Sequence, residues 1–395
     1  MAQIQSFFDD KGSAYHLPPL SSDPWGLGII STCNEITLLN NGEPTYACML
    51  EKMNRASSSI HLELFSIRND DSSKAFARML ILKARQGLQV RLLYDALGSL
   101  STSKSYFDEL LKNGVQVAAF NPLPAAIVQG RINNRLHRKI VVIDGTTAFL
   151  GGENIGDECL GKNKKIGFWR DTDIMVQGNA ARSLQEVFLY DWFKASGTKV
   201  ESAILFPAVP DTNAQGVKIA LGGPDSETTD LSLAYSQLIS QAKANIYIAS
   251  PYFTPNDRIV NALVQAASRG VTIDILIPRK TDHWSAQYAR QDYLHRLVEC
   301  GVRIHLYNPG FLHSKLVIID GQTASVGSAN FDELSFYRNY EIGVIISDRK
   351  IISQLEAAFQ KDLEDSDPVT IDSLQEKNPL LTLTTKVTKL LMKVM

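Results

Sequence analysis

The feature that most limits how this chain can fold is that it repeats itself. Sliding the chain along itself aligns Ser59-Ile60-His61-Leu62-Glu63-Leu64-Phe65 with Asn245-Ile246-Tyr247-Ile248-Ala249-Ser250-Pro251. Self-similarity of this kind marks a duplicated structural unit. Both runs read as strands that end in a polar turn, Asn69-Asp70 or Asn256-Asp257. A helical pattern follows each, with Phe76, Met79, Leu80, Lys83 and Ala84 before Gly87, and Ile259, Leu263, Ala266 and Ala267 before Gly270. Apolar residues three and four apart, stopped by glycine, predict an amphipathic helix. A second strand and helix come next, then a short strand closing in Phe120-Asn121-Pro122 or Tyr307-Asn308-Pro309. Strands alternating with helices predict an α/β fold. We expect two similar α/β/α half-domains with mostly parallel sheets, related by a pseudo-twofold axis. The expected layout is an N-terminal extension at 1–29, a first unit at 30–205, a linker at 206–224, a second unit at 225–365 and a tail at 366–395.

The repeat also carries polar residues that architecture alone does not require. The first unit holds Leu136-His137-Arg138-Lys139 followed by Asp144-Gly145 and then Gly151-Gly152-Glu153-Asn154. The second holds Leu312-His313-Ser314-Lys315, then Asp320-Gly321 and Gly327-Ser328-Ala329-Asn330. Histidine and lysine two apart leave the same face of an extended strand. Further on, Arg170-Asp171-Thr172-Asp173 aligns with Arg338-Asn339-Tyr340-Glu341, which pairs Asp173 with Glu341. Core packing accounts for the Val141–Ile143 and Val317–Ile319 runs. It does not account for a His, a Lys, an Asn and an acid at matched places in a chain with only seven histidines.

These blocks resemble the signature of the phospholipase D superfamily, His-x-Lys-x-x-x-x-Asp followed by Gly-Ser-x-Asn. Within it the chain resembles the bacterial cardiolipin synthases over most of its length. Similar flanking stretches include Leu92-Leu93-Tyr94-Asp95-Ala96-Leu97-Gly98-Ser99, Pro251-Tyr252-Phe253-Thr254-Pro255 and Pro309-Gly310-Phe311-Leu312-His313. The first motif departs from the pattern, with Gly152-Glu153 where the second has Ser328-Ala329.

The resemblance implies phosphatidyl transfer through a phosphohistidine. One imidazole attacks phosphorus and the other protonates the leaving alcohol, then accepts the proton of the incoming one. The two motifs are nearly symmetric, so the order, His137 as nucleophile and His313 as acid and base, comes from the resemblance. Lys139 and Lys315 would hold the non-bridging oxygens as point charges, and Asn154 and Asn330 would donate amide hydrogens, with Ser328 in support. Asp173 and Glu341 would accept from the far ring nitrogens and fix the tautomers. Asp144 and Asp320 complete the motifs, and read best as structuring the strand end and its turn. The reaction needs no cofactor and no metal, since the lysines supply the cationic role. His283 and His295 could line the approach to the site or be ordinary surface residues; His61 and Tyr247 read as structural.

The motif itself does not separate a lipid from a nucleic acid, because both present a phosphodiester. A formal net charge of -2 gives no support for a basic groove, which disfavours nucleic acid. In the tail, Leu383, Val387, Leu390, Leu391 and Val394 fall on one side of a helix and Lys386, Lys389 and Lys393 opposite, a pattern suited to an anionic bilayer surface. Phe120 to Val128 is apolar and marked by prolines, a candidate for part of the site entrance. No apolar run is long enough to span a membrane and the first ten residues do not read as a secretory leader. The four cysteines form no metal spacing and read as reduced thiols. The expected partners are phospholipids, phosphatidylglycerol with phosphatidylethanolamine as a second donor, at a bacterial membrane met peripherally from the cytoplasmic side. A phospholipid hydrolase, a nuclease and a binding module with a relic site stay open as alternatives, as does the oligomeric state.

Overall fold

The computed structural model describes residues 28–33, 35–209, 215–224, 231–281 and 289–375. The amphipathic tail beyond 375, most of the N-terminal extension and His283 lie outside the described residues.

The first half is built on a seven-stranded sheet of order β2-β9-β7-β6-β3-β4-β5. Its strands are β2 (Glu35–Asn40), β3 (Ser59–Leu64), β4 (Gln89–Asp95), β5 (Gln116–Phe120), β6 (Ile140–Ile143), β7 (Thr147–Gly151) and β9 (Thr172–Gln177). The second half has a nine-stranded sheet of order β1-β10-β19-β17-β16-β11-β13-β14-β20. Those strands are β1 (Gly28–Cys33), β10 (Gln215–Gly222), β11 (Asn245–Ala249), β13 (Thr272–Pro278), β14 (Arg303–Tyr307), β16 (Leu316–Ile319), β17 (Thr323–Gly327), β19 (Glu341–Ile346) and β20 (Ser366–Pro368). Two small pairs, β8 (Phe168–Arg170) with β15 (Gly310–Leu312) and β12 (Phe253–Thr254) with β18 (Phe331–Asp332), complete the set. β1, from the start of the chain, and β10, from the expected linker, both join the second sheet.

The sheets are mixed and largely antiparallel, which corrects the expectation of mostly parallel ones. Within the two large sheets, only β3-β4-β5 and β11-β13-β14, the strands joined by helical crossovers, run parallel. The motif strands are joined by tight turns instead. Asp144-Gly145 and Asp320-Gly321 all have positive φ, between 52° and 65°, the backbone of the tight turns that join hairpin strands. A hairpin can only produce antiparallel neighbours, and β6-β7 and β16-β17 are such pairs.

Asp70 and Asn256 cap the crossover helices Asp71–Arg85 and Asp257–Ser268, each side chain accepting from a backbone N–H three residues on. Helix Asn179–Ser196 follows β9 and helix Arg349–Glu364 follows β19. One apolar core runs through both halves: Ile140, Val142, Leu150, Ile174 and Leu184 pack with Leu316, Ile318, Val326, Ile342 and Phe359. That shared core holds the two motif hairpins in fixed relation to each other. Among the described residues, no helix is long and apolar enough to cross a membrane.

Candidate active site

Each histidine stands just before a hairpin strand, and its backbone is pinned by the other half. The His137 N–H donates to the Tyr340 carbonyl at 2.9 Å, and the His313 N–H to the Arg170 carbonyl at 2.7 Å. Leu136 bridges to Tyr340, and β15 lies parallel to β8, so both histidine segments enter along a strand of the opposite repeat.

The side chains repeat the exchange. His137 Nδ1 bonds the Glu341 carboxylate at 2.8 and 3.0 Å, and His313 Nδ1 bonds Asp171 Oδ2 at 2.6 Å. A carboxylate on Nδ1 places the ring proton there and leaves the lone pair on Nε2. Lys139 Nζ donates to the His137 carbonyl and Lys315 Nζ to the His313 carbonyl, both at 2.5 Å. Aromatic rings close around the imidazoles, Phe65 at 4.9 Å from His137 and Trp169 at 4.6 Å from His313. His137 and His313 keep only 9% and 6% of their surface open.

Burial sets the charge states. It lowers both histidines, His313 to about 4 with help from Lys315, so both rings are neutral near pH 7. Lys139 also depresses His313, and Lys315 depresses His137, which puts the two lysines in one field with both rings. Burial brings Lys139 down to about 7 and lowers Lys315. Burial alone would raise Asp171, but His313 and Lys315 overcome it and hold the carboxyl at about 2. Glu341 is likewise held below its usual range by His137 and Lys139 against the effect of burial.

The structure brings together His137, Lys139, His313, Lys315 and Glu341 as the repeat suggested, but it puts Asp171, not Asp173, at His313. This corrects the expected pairing, and the cause is a two-residue slip. Matching arginine to arginine set Arg170 against Arg338, whereas the carbonyls that receive the histidine N–H groups belong to Arg170 and Tyr340. In that register Asp171 answers to Glu341. The following helices give the same answer: Asn179 begins eight residues after Asp171, and Arg349 begins eight after Glu341. Asp173 is buried behind Asp171, and burial followed by that neighbouring charge pushes it well above the carboxylate range. Glu153 is raised by burial, Asp171 and Asp173 in the same way.

Ser328 donates to Glu341 Oε2 at 2.5 Å. No hydroxyl can take that place in the first half, because a Cβ on Gly152 would stand 2.2 Å from Asp171 Oδ1. Asn154 Oδ1 accepts from the Ser66 N–H at 3.0 Å, which orients its amide, and Asn330 is buried beside Ser335. Asp144 and Asp320 sit at the far ends of β6 and β16 from the histidines. Asp144 accepts from the backbone N–H groups of Ser57, Ser58 and Ser59, and Asp320 from those of Lys243, Ala244 and Asn245. They clamp the start of the neighbouring strand. His295 pairs with Glu299 on its own helix, and His61 is buried between Gln185 and Arg91.

Sequence reasoning missed two braces. Arg138 bonds Asp191 and donates to the Glu341 carbonyl at 3.1 Å. Arg170 bonds Asp362 at 2.8 Å and donates to the Asp171 carbonyl. Each guanidinium therefore holds the main chain of one histidine-binding acid. An arginine inside or beside a catalytic block, with an acid on a later helix, was the available signal.

Residues 49–192 and 235–363 match the family model described as cardiolipin synthase, phospholipase D-like domain. The chain is 40% identical to the cardiolipin synthase of Geobacillus sp. strain WCH70, over 93% of this chain and 73% of that one. It is 41% identical to cardiolipin synthase 2 of Bacillus anthracis, over 90% of this chain and 70% of that one. Both relatives are bacterial. Among solved structures, phosphatidylserine synthase of Haemophilus influenzae superposes with a TM-score of 0.71 over 94% of this chain and 95% of that one. At 15% identity that likeness is one of fold.

Proposed function

Because the chain belongs to the cardiolipin synthase, phospholipase D-like family, its activity is phosphatidyl transfer, and we propose that phosphatidylglycerol is donor and acceptor with His137 as the nucleophile. His137 Nε2 attacks phosphorus, the bond from phosphorus to the headgroup oxygen breaks, and His313 gives its proton to the departing glycerol. His313 then takes the proton from a hydroxyl of a second phosphatidylglycerol, whose oxygen attacks phosphorus and releases His137. Cardiolipin and glycerol are the products; phosphatidylethanolamine as donor would release ethanolamine.

The observation that carries this reading is the pair of neutral imidazoles held by ionised carboxylates, with two buried lysines beside them. His313 must be protonated to act first as an acid. The lysine charges help hold its proton off. A bound phosphodiester anion offsets those charges and raises its proton affinity, so the substrate itself arms the acid. Lys139 and Lys315 hold the non-bridging oxygens, and Asn154 and Asn330 donate to them. Asp171 and Glu341 keep the Nδ1–H tautomers. The aromatic collar of Phe65 and Trp169 disfavours water, the competitor of the lipid hydroxyl. The work is done at the cytoplasmic face of a bacterial membrane, with the protein bound peripherally.

The test is mass spectrometry of products from phosphatidylglycerol bilayers, with and without phosphatidylethanolamine, beside His137→Ala and His313→Ala. Cardiolipin with glycerol or ethanolamine, absent in both variants, supports the reading and names the donor. Phosphatidic acid as sole product would replace transfer by hydrolysis. A phosphatidyl adduct trapped on His313 instead of His137 would reverse the two roles.

A further inference from the structure

Two segments beside the histidines are apolar, exposed and one-signed in charge. Residues 121–134 and 161–168 contain Arg131, Lys162, Lys164 and Lys165 and no acid, in a chain whose net charge is -2. At their tips stand Ile127 at 64% exposure, Val128 at 88% and Phe168 at 45%. Single exposed apolar residues are ordinary, but Ile127 and Val128 stand side by side at the end of the short helix Leu123–Val128, in the segment that leads to His137.

Hydrogen bonds tie these tips to the catalytic segments. Asn121 Nδ2 donates to the carbonyls of Arg131 and Asn134 at 2.8 and 2.9 Å, closing the first loop on itself. Arg135 donates to the Asn121 carbonyl, and Asp95 accepts from the N–H of Leu136, the residue before His137. The same Asp95 accepts from Leu97 and Gly98. That third loop carries Leu100, 65% exposed, and lies against Phe65, whose ring packs on His137. On the other side, Phe168 pairs with Gly310 in β15, three residues before His313. Lys162 also pairs with Asp157 at 3.2 Å and keeps half of its side chain in solvent.

We infer that the tips at Leu100, Ile127, Val128 and Phe168, with Arg131 and the lysines at 162, 164 and 165, form a docking surface that seats the mouth of the active site on an anionic lipid bilayer. The inference rests on the phosphatidyl-transfer reading and adds where the membrane is met. Apolar side chains enter the acyl boundary while basic ones stay at the headgroups, the arrangement of an interfacial anchor. A diacyl substrate could then reach Nε2 of either histidine without leaving lipid for water.

The experiment uses the full chain and flotation with vesicles of phosphatidylglycerol and phosphatidylcholine, or phosphatidylcholine alone. Ile127→Asp with Val128→Asp, and Phe168→Asp, are expected to weaken binding to the mixed vesicles about tenfold or more. Changing Lys162, Lys164 and Lys165 to Gln is expected to cost about fivefold per charge at low salt and to remove the preference for phosphatidylglycerol. Val128→Trp should be quenched by brominated acyl chains. All variants should keep wild-type turnover of a short-chain phosphatidylglycerol dissolved below its micellar concentration, which separates docking from folding and chemistry. Unchanged flotation of the aspartate variants, or an unquenched tryptophan, overturns the surface. Loss of self-association in those variants with flotation unchanged would also overturn it, in favour of a second copy of the chain. If the wild type turns over neither form of lipid, the transfer reading fails, while flotation still decides the surface.

Discussion

Gly152→Ser tests how the first motif is packed. Repeat symmetry suggests that a serine there should be harmless, since Ser328 occupies the matching place and donates to Glu341. The geometry says otherwise. A Cβ at 152 would lie 2.2 Å from Asp171 Oδ1, where ordinary contact starts at 3.4 Å, and the polar atom belongs to a short, buried side chain. Asp171 would have to retreat by about 1.2 Å, which stretches its 2.6 Å bond to His313 past hydrogen-bonding range. A hydrogen bond to a charged group contributes about 1.5–3 kcal/mol. Its loss should lower kcat about 10- to 150-fold, with a smaller effect on KM. Turnover of dissolved short-chain phosphatidylglycerol measures this without a membrane step. Gly152→Ala should behave like the serine variant, since the clash is with Cβ and not with the hydroxyl. Thermal unfolding separates misfolding from misplacement of Asp171. A folded Gly152→Ser protein with wild-type kcat would refute the steric reasoning.

Asp171→Asn should reduce kcat by about 100-fold or more, by analogy with carboxylate-to-amide changes behind other catalytic histidines, while Asp173→Asn, at an acid that does not bond the imidazole, should change it only a few-fold. Equal losses in steady-state kinetics would undo the corrected register. Because burial brings Lys139 down to about 7, and a bound anion raises that value, binding of dimethyl phosphate should take up protons at pH 8. Its affinity should fall as pH rises above 7; calorimetry in two buffers of different ionisation heat measures the uptake, and none would be a contrary result. Asp144→Ala and Asp320→Ala each strip the acceptor from three backbone N–H groups. Each should cost about 2–4 kcal/mol of stability and several degrees of Tm. The folded fraction should keep its kcat, and a specific kinetic loss without a change in Tm would assign these aspartates to the chemistry.

Much of this molecule was legible in the sequence because the duplicated blocks carry local signals. The capped crossover helices, the Asp-Gly turns and the paired His-x-Lys blocks each express a rule that acts within a few residues. Strand direction went astray for an identifiable reason. The crossover units are parallel, and extending them to the whole sheet overlooked what the Asp-Gly turns demand of β6-β7 and β16-β17. Asp171 was missed because identity at Arg170 and Arg338 outweighed spacing, although counting back from the next helix in each repeat restores the register. The Arg138–Asp191 and Arg170–Asp362 braces join residues 53 and 192 positions apart. Nothing local announces such pairs; tertiary packing brings them together, inside the first half for Arg138 and Asp191 and between the halves for Arg170 and Asp362.

The exchange of acids between the halves also bears on heredity. Duplication ordinarily leaves a spare, so one copy can accumulate changes while its twin does the work. Here the acid that serves His137 is encoded in the second repeat, and the acid that serves His313 in the first. Loss of either acid strips the partner from the histidine of the other repeat, so neither can stand in for its twin. Two copies give this gene no insurance; they give it twice the number of places at which one error reaches across to the other copy.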